Sequence, residues 1–274
     1  MRLPFHQIDA FADKPFTGNP AAVMPLDTWL DDTTLQAIAA ENNLAETAFI
    51  VPTPGGPADY DLRWFTPAVE VALCGHATLA SGHYILSADP GRNAVTFATR
   101  KSGVLTVTRD GNGYALDLPA MPTEPYAVAG LAAALGAEPV EVRTRGSDYI
   151  VSVFATAAQV RALKPDFRAV AALQAGDVLC IATAPGGGDP SGADIVSRAF
   201  APGAGIDEDP VTGSAHAIIG PYWADRLGRQ RFTAYQASAR GGHLGCHVMR
   251  DRVVLSGECV TAIEAVFLLA QNTT

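Results

Sequence analysis

Charge is scarce in this chain: only 17% of its 274 residues are Asp, Glu, Lys or Arg, with 19 basic residues against 28 acidic ones. The net charge of −9 is spread along the sequence without a basic stripe, which argues against nucleic acid or an anionic membrane surface as a partner. Long apolar runs are missing too, and none approaches the roughly 20 residues of a membrane helix. The start, Met1-Arg2-Leu3-Pro4-Phe5-His6, lacks a signal-peptide apolar core, so a cytoplasmic protein is expected. Cysteine is sparse: Cys74, Cys180, Cys246 and Cys259 form no Cys-x-x-Cys pair, and disulfides are not expected. One stretch, His243-Leu244-Gly245-Cys246-His247, is rich in metal-ligand types. It reads as a strand, where His243 and His247 share a face and Cys246 points away. With no fourth ligand in view, no metal is expected.

What the chain does have is apolar bulk, 48% of residues, and an internal echo. Gly75-His76-Ala77-Thr78 leads into the apolar run Leu79 to Leu86, and Gly213-Ser214-Ala215-His216 leads into Ala217-Ile218-Ile219-Gly220. Upstream, Arg63-Trp64-Phe65-Thr66-Pro67 is matched by Arg198-Ala199-Phe200-Ala201-Pro202. The offset is 135 residues from Arg63 to Arg198 and 138 from Gly75 to Gly213. Two elements at near-constant offset indicate a duplication with a three-residue insertion. Two helix N-termini related in this way can face one cleft, each offering free N–H groups and a positive dipole end to an anion.

Strands are expected at Leu3 to Asp9, Thr47 to Val51, Tyr60 to Phe65, Ala94 to Thr99, Val104 to Arg109 and Tyr114 to Leu118. Arg109-Asp110-Gly111-Asn112-Gly113 is a hairpin signal between the last two. A helix is expected over Thr28 to Ala40, capped by Thr28 and stopped by Asn42-Asn43. In the second half, a short Ala-rich helix near Leu131 to Leu135 precedes strands at Tyr149 to Phe154, Val178 to Thr183 and Ile195 to Phe200. A core helix follows from Ser214 or Ala215, then strands near Phe232 to Gln236, His247 to Met249 and Val253 to Leu255. Pro119, Pro122 and Pro125 mark a linker over 119–129 between an N-terminal domain, 1–118, and a C-terminal domain, 130–259. The segment 260–274 is assigned as one that crosses back to the first domain. Many short strands with one buried helix per half fit an α+β architecture of two barrel-like β domains, each around a helix.

Several motifs resemble the phenazine-biosynthesis (PhzF-like) isomerase family. They are Ile8-Asp9-Ala10-Phe11 with Gly18-Asn19-Pro20-Ala21-Ala22-Val23, Asn43-Leu44-Ala45-Glu46-Thr47-Ala48-Phe49, Cys74-Gly75-His76-Ala77-Thr78, and Asp209-Pro210-Val211-Thr212-Gly213-Ser214-Ala215-His216. The matches keep one order and run from residue 8 to about 242. The resemblance implies a diaminopimelate-epimerase-like fold, with two similar β barrels around central helices and an active site in the inter-domain cleft. It also implies no cofactor, and homodimers are frequent among its members.

By the same resemblance Glu46 matches the catalytic glutamate that moves a proton between substrate carbons. A carboxyl group shielded from water is suited to take and return a proton, whereas an exposed Glu at a helix–strand junction is ordinary. His76 matches an active-site histidine; a helix N-terminus lowers an imidazole pKa and favours the neutral ring. Its bland alternative is a packed core histidine. Asp209 matches an active-site aspartate, against the alternative of an acidic turn at Asp207-Glu208-Asp209-Pro210. Ser214, with the N–H groups at Gly75 and Gly213, would cradle a substrate carboxylate, or would simply cap its helix. Cys74 invites comparison with racemases that use two facing cysteines, but Thr212-Gly213-Ser214 offers no second thiol.

The expectation is therefore a cofactor-independent isomerase that moves a proton on a small, cyclic or amino-substituted carboxylic acid. Glu46, His76 and Asp209 would be catalytic, with Ser214, Gly75 and Gly213 binding the substrate. An amino-acid or hydroxy-acid epimerase of the same fold is the nearer rival. A non-catalytic metabolite-binding or interaction module is the more distant one.

Overall fold

The computed structural model describes residues 1–174, 176 and 178–269, so the last five residues of the expected 260–274 segment lie outside the described ones. The chain divides into two compact units, Met1–Asp117 with the stretch from Ser256 onward, and Leu118–Leu255. Both are mixed and sheet-rich.

The first unit runs β1 (Arg2–Ala10), β2 (Asn19–Pro25), α1 (Asp32–Asn42), β3 (Glu46–Pro52), β4 (Tyr60–Phe65), β5 (Glu70–Val71), α2 (Gly75–Ala88), β6 (Ala94–Thr99) and β7 (Val104–Asp110), with β8 (Gly113–Pro119) leading out of it. The second contains β9 (Glu124–Pro125), α3 (Leu131–Leu135), β10 (Glu141–Arg145), β11 (Tyr149–Val153), α4 (Ala157–Ala162) and α5 (Phe167–Ala171). It continues with β12 (Leu179–Pro185), β13 (Ile195–Ala201), β14 (Ile206–Asp209), α6 (Gly213–Leu227), β15 (Arg231–Gln236), β16 (Gly242–Met249) and β17 (Arg252–Gly257). The last strand, β18 (Cys259–Leu268), returns to the first unit and pairs antiparallel with β1, from Arg2 opposite Leu268 to Ala10 opposite Cys259.

The duplication is written into the pairing. In the first unit β1–β2 is antiparallel, β2–β3 parallel, β3–β4 and β4–β5 antiparallel, β4–β6 parallel and β6–β7 antiparallel. The second unit repeats that order with β10, β11, β12, β13, β14, β15 and β16. Side chains repeat as well. Arg63 forks onto Glu70 through Nε and Nη2, both at 2.8 Å, and Arg198 forks onto Glu208 at 2.7 and 2.8 Å. Each guanidinium also lies over the ring two residues on, Phe65 or Phe200, at 5.0 Å. Residues i and i+2 share one face of a strand, so the Arg-x-Phe spacing makes both contacts from one side. Glu70 and Glu208 stand 138 apart, as do Gly75 and Gly213. The insertion therefore falls between the proline and the glutamate, where the second unit adds the short 3₁₀ turn Pro202–Ala204.

Helix α2 is apolar nearly all round and packs against β1, β2, β3, β6, β7 and β18. The approach is close at Gly82, where a Cβ would stand 2.4 Å from Cγ1 of buried Val107. Its counterpart α6 carries Pro221 in its interior. Proline has no N–H for the carbonyl four residues back, and that carbonyl, Ala217, instead accepts from the Met121 N–H at 3.2 Å.

That bond corrects the linker expectation. Residues 119–129 are tied into the second unit, through Met121, through Ala120 N–H donating to the Asp251 carbonyl at 2.8 Å, and through β9, which pairs with β10. The start of α1 is corrected too: Asp31, not Thr28, is the cap, its Oδ1 accepting from the Thr34 N–H at 2.9 Å. The stop is Asn43, in the left-handed conformation with φ 49°. No helix among the described residues is long and apolar enough to cross a membrane.

His216, in the first turn of α6, is fully buried. Its Nδ1 lies 2.8 Å from the Thr212 carbonyl, which can only accept, so Nδ1 carries the proton; Nε2 lies 3.2 Å from the Ser197 hydroxyl and accepts. Burial pushes its pKa down to about 4, against a small upward pull from the Thr212 carbonyl. The unfolded chain takes up this proton near pH 6.5 and the folded chain near 4, so stability falls as pH drops through that window. At about 1.4 kcal/mol per pKa unit the loss totals about 3 kcal/mol. Ring NMR signals of His216 are expected to titrate near pH 4. In urea unfolding at pH 7 and 4.5, a His216→Gln variant is expected to lose less stability on acidification than the parent. Equal losses would show that His216 does not drive the acid limb.

Candidate active site

The start of α2 brings three chemically capable side chains together. Glu46 opens β3, which runs parallel to β2 with Glu46 opposite Ala21. Asn19 opens β2, so the parallel pairing sets Asn19 and Glu46 at the same end of the two strands. His76 follows Gly75 in the first turn of α2, and Cys74 is its cap residue.

His76 is buried, and its Nε2 lies 3.1 Å from Oε2 of Glu46, whose side chain is 13% exposed. The two atoms are in ion-pair range but not aligned as a hydrogen bond, and neither has another hydrogen-bond partner. On the opposite edge of the ring, Nδ1 meets the Asn19 amide nitrogen at 3.1 Å and the Cys74 sulfur at 3.6 Å. An amide NH₂ donates, so Nδ1 accepts and the neutral ring carries its proton on Nε2, facing the carboxylate. A half-turn of the Asn19 amide would present Oδ1 instead, which suits the imidazolium.

Burial alone would push the His76 pKa down, but the Cys74 sulfur and the Glu46 carboxylate outweigh it and hold the ring well above the ordinary histidine value. This overturns the expectation that the helix dipole leaves the ring neutral by lowering its pKa. A helix terminus is worth about 0.3–1 kcal/mol. A unit charge at 4 Å is worth about 4 kcal/mol at the effective dielectric of a protein. The neighbours at contact distance, the Cys74 sulfur first and the Glu46 carboxylate second, therefore outweigh the dipole. Burial, reinforced by Glu46, pushes the Cys74 thiol up. Burial thus works against the thiolate that a two-cysteine racemase would use.

The start of α6 is built differently. Asp209 ends β14, buried, with Oδ2 accepting from the Thr212 hydroxyl. Gln236 locks the turn: Oε1 accepts from the Thr212 N–H at 2.8 Å and Nε2 donates to the Asp209 carbonyl at 2.7 Å. The alternative of an acidic turn does not form: Ile206–Asp209 is a strand, and its Glu208 is spent on Arg198. Ser214 is half-buried in the first helical turn, and its hydroxyl has no hydrogen-bond partner among the described residues. It does not cap α6, because the cap position is Thr212.

The two helix starts share one feature. Neither cap residue, Cys74 or Thr212, turns its side chain onto the first-turn N–H groups, and neither first turn holds an acidic residue. Both ends keep first-turn N–H donors that the cap side chain does not take, as an anion site requires.

Sequence reasoning named Glu46, His76, Asp209, Ser214, Gly75 and Gly213. The structure joins Glu46 and His76 directly, puts Gly75 beside them, and places Asp209, Gly213 and Ser214 around the start of α6. It adds Asn19, Cys74 and Gln236 as partners that the sequence left without a role. Asn19 sits in the quoted Gly18-Asn19-Pro20 motif, yet its contact with a residue 57 positions away follows only from the β2–β3 pairing. Glu46, Cys74 and His76 also form the one group of potential metal ligands among the described residues, with donor atoms within 4.8 Å of one another. The stretch at His243 is not such a group: Cys246 is buried while His243 is exposed.

Replacing Asn19 with Leu keeps the volume and strips the buried ring nitrogen of its amide. A buried polar atom left unpaired costs about 1–3 kcal/mol. Urea unfolding of Asn19→Leu is expected to show a loss of that size; a loss under about 0.5 kcal/mol would mean that the Cys74 sulfur alone satisfies the ring.

The family profile described as phenazine biosynthesis-like protein matches residues 8–265. An uncharacterised isomerase of Pseudomonas aeruginosa is 50% identical over 260 residues, covering 94% of this chain and 96% of its own. A crystal structure of a PhzF family phenazine biosynthesis protein from Enterococcus faecalis superposes with a TM-score of 0.89 at 41% identity, covering 98% of this chain and all of that one. A hydroxyproline epimerase from Agrobacterium vitis superposes with a TM-score of 0.63 at 11% identity, over 99% of this chain and 94% of its own, a likeness of fold alone.

Proposed function

Since the chain belongs to the phenazine biosynthesis-like family, whose relatives include named isomerases, we propose that it is a cofactor-independent isomerase that moves a proton between carbons of a small carboxylic acid. The observation that carries this reading is the water-poor contact between Glu46 and His76 at the start of α2. Glu46 takes the substrate proton and returns it. His76, held toward its charged form, compensates the carboxylate and orients it. The open N–H groups at Gly75 and Gly213 and the free Ser214 hydroxyl are suited to a carboxylate and to charge developing during transfer. In this reading Asp209 contacts the substrate, and each unit is a β barrel around its central helix.

The comparison of the two halves favours isomerisation over two-base epimerisation. Glu46 is the first residue of β3, and Leu179 is the first residue of the equivalent β12; the register of each strand with Phe65 or Phe200 makes the two positions equivalent. Cys74 is answered by Thr212 and His76 by Ser214. A racemase with one base on each face of its substrate carbon needs a base from each half. The positions equivalent to Glu46, Cys74 and His76 are Leu179, Thr212 and Ser214, none of them a base, and the Asp209 carboxylate at that helix start is engaged by the Thr212 hydroxyl.

Incubation in D₂O with a panel of small carboxylic acids is expected to put deuterium on substrate carbon. Glu46→Gln keeps the size of the side chain and removes its basicity, so incorporation should fall by about 10²-fold or more. Near-parent incorporation by the variant would refute the role of Glu46. Binding without exchange across the panel would favour a non-catalytic module, and a product of inverted configuration at the exchanging carbon would favour an epimerase.

Ser214→Ala removes one hydrogen bond to a charged group, worth about 1.5–3 kcal/mol. Calorimetric titration of a carboxylate ligand is expected to show affinity lower by about one to two powers of ten. Equal affinities would remove Ser214 from the carboxylate cradle.

A further inference from the structure

We propose that Glu46, Cys74 and His76 form a binding site for one thiophilic divalent cation of the Zn²⁺ class, and that occupancy shuts off proton transfer. The second half of this statement rests on the reading of Glu46 given above; the first does not. Three donors of different type, a carboxylate oxygen, a thiol sulfur and an imidazole nitrogen, lie within 4.8 Å of one another. His76 is more than nine-tenths buried, and its Nε2 faces Glu46 Oε2 without a hydrogen-bond partner on either atom.

The donor set selects the ion. Mg²⁺ and Ca²⁺ prefer six or more oxygen ligands, whereas mixed sulfur and imidazole donors suit Zn²⁺ and Co²⁺. With metal–ligand bonds of about 2.0–2.3 Å, tetrahedral donors stand roughly 3.5 Å apart. The Glu46–His76 separation of 3.1 Å is already close to that, and the Cys74 sulfur, 3.6 Å from Nδ1 on the other ring edge, swings toward Nε2 to complete the set. Three protein ligands leave a fourth position open, for water or a substrate carboxylate, as in metal sites that are not purely structural. On coordination the Cys74 thiol and the His76 Nε2–H each give a proton to solvent, and the sulfur and the ring nitrogen give their lone pairs to the metal. The ring is left neutral with its remaining proton on Nδ1, facing an Asn19 amide turned to accept it. Glu46 gives the metal the lone pair that would otherwise take the substrate proton. The bound ion therefore competes directly with catalysis, and a chelator restores it. Cys180, Cys246 and Cys259 belong to no such group among the described residues.

Co²⁺ is the probe, because it replaces Zn²⁺ in tetrahedral sites and reports its ligands in its absorption. Titration of chelator-treated protein is expected to saturate at one Co²⁺ per chain, with tetrahedral visible bands and a near-ultraviolet thiolate-to-cobalt charge-transfer band, both abolished by Zn²⁺. Cys74→Ser should lose the charge-transfer band and bind at least ten-fold more weakly, with unchanged far-ultraviolet circular dichroism. Should Cys74→Ser fail to fold, Glu46→Gln is expected to keep the charge-transfer band and bind at least ten-fold more weakly. Absence of saturable binding, a charge-transfer band that persists in Cys74→Ser, or undiminished affinity in Glu46→Gln would each overturn the site. Zn²⁺ should also suppress deuterium incorporation, with recovery on chelation; undiminished incorporation at saturating Zn²⁺ would overturn the inhibitory half. Saturable, Cys74-dependent Co²⁺ binding in a protein that exchanges no carbon-bound proton would support the site and count against the acid–base reading.

Discussion

A carboxylate and an imidazole held 3.1 Å apart, with little water between or around them, are the constraint on which the first unit turns. Neither group is cheap to bury alone, since a lone charge in that setting costs several kcal/mol. Each makes the burial of the other tolerable. The arrangement demands that three chain segments meet: the start of β2 for Asn19, the start of β3 for Glu46 and the start of α2 for His76. Parallel pairing of β2 with β3 aligns the first two, and the packing of α2 against both strands brings in the third. The close fit of Gly82 on Val107 leaves α2 little freedom to slide.

The second unit shows what the same scaffold looks like without that constraint. Its strands pair in the same order, and its arginine grips a glutamate and a phenylalanine in the same way. Yet Leu179 stands where Glu46 does, and the turn before α6 is closed by neutral hydrogen bonds from Gln236. Packing and the arginine fork are present in both units, while the Glu–Cys–His group is present in one.

Much of this was legible in the sequence where the signal was local. The two glycine-led helix starts, the Arg-x-Phe-x-Pro echo and the Asp110–Gly113 hairpin all lie within a few residues of the atoms they govern. The short elements α4, α5 and β10 were not foreseen, because five or six residues give too little periodicity to register. Residues 119–129 read as a linker because proline usually marks one; the Ala217 carbonyl that holds Met121 exists only because Pro221, 100 positions on, vacates it. Asn19 and Cys74 gained their roles through contacts with His76 that strand pairing and helix packing create. The family motifs contain Asn19 and Cys74, but their meeting with His76 is visible only in the fold.

The two buried histidines of the helix starts make the same point in energetic terms. His76 and His216 lie at comparable depth, each in the first turn of a central helix with the same macrodipole. Depth and dipole push both toward the neutral ring. At His216 the partners are a carbonyl and a hydroxyl, which satisfy a neutral imidazole completely, and the ring is held down to about 4. At His76 the Cys74 sulfur and the Glu46 carboxylate flank the ring, and the direction reverses. Helix position cannot tell these cases apart, because the dipole contributes less than a single charge at contact distance. What separates the two histidines is the pair of side chains at the ring, Cys74 and Glu46, and the strand position that carries Glu46 in the first unit carries Leu179 in the second.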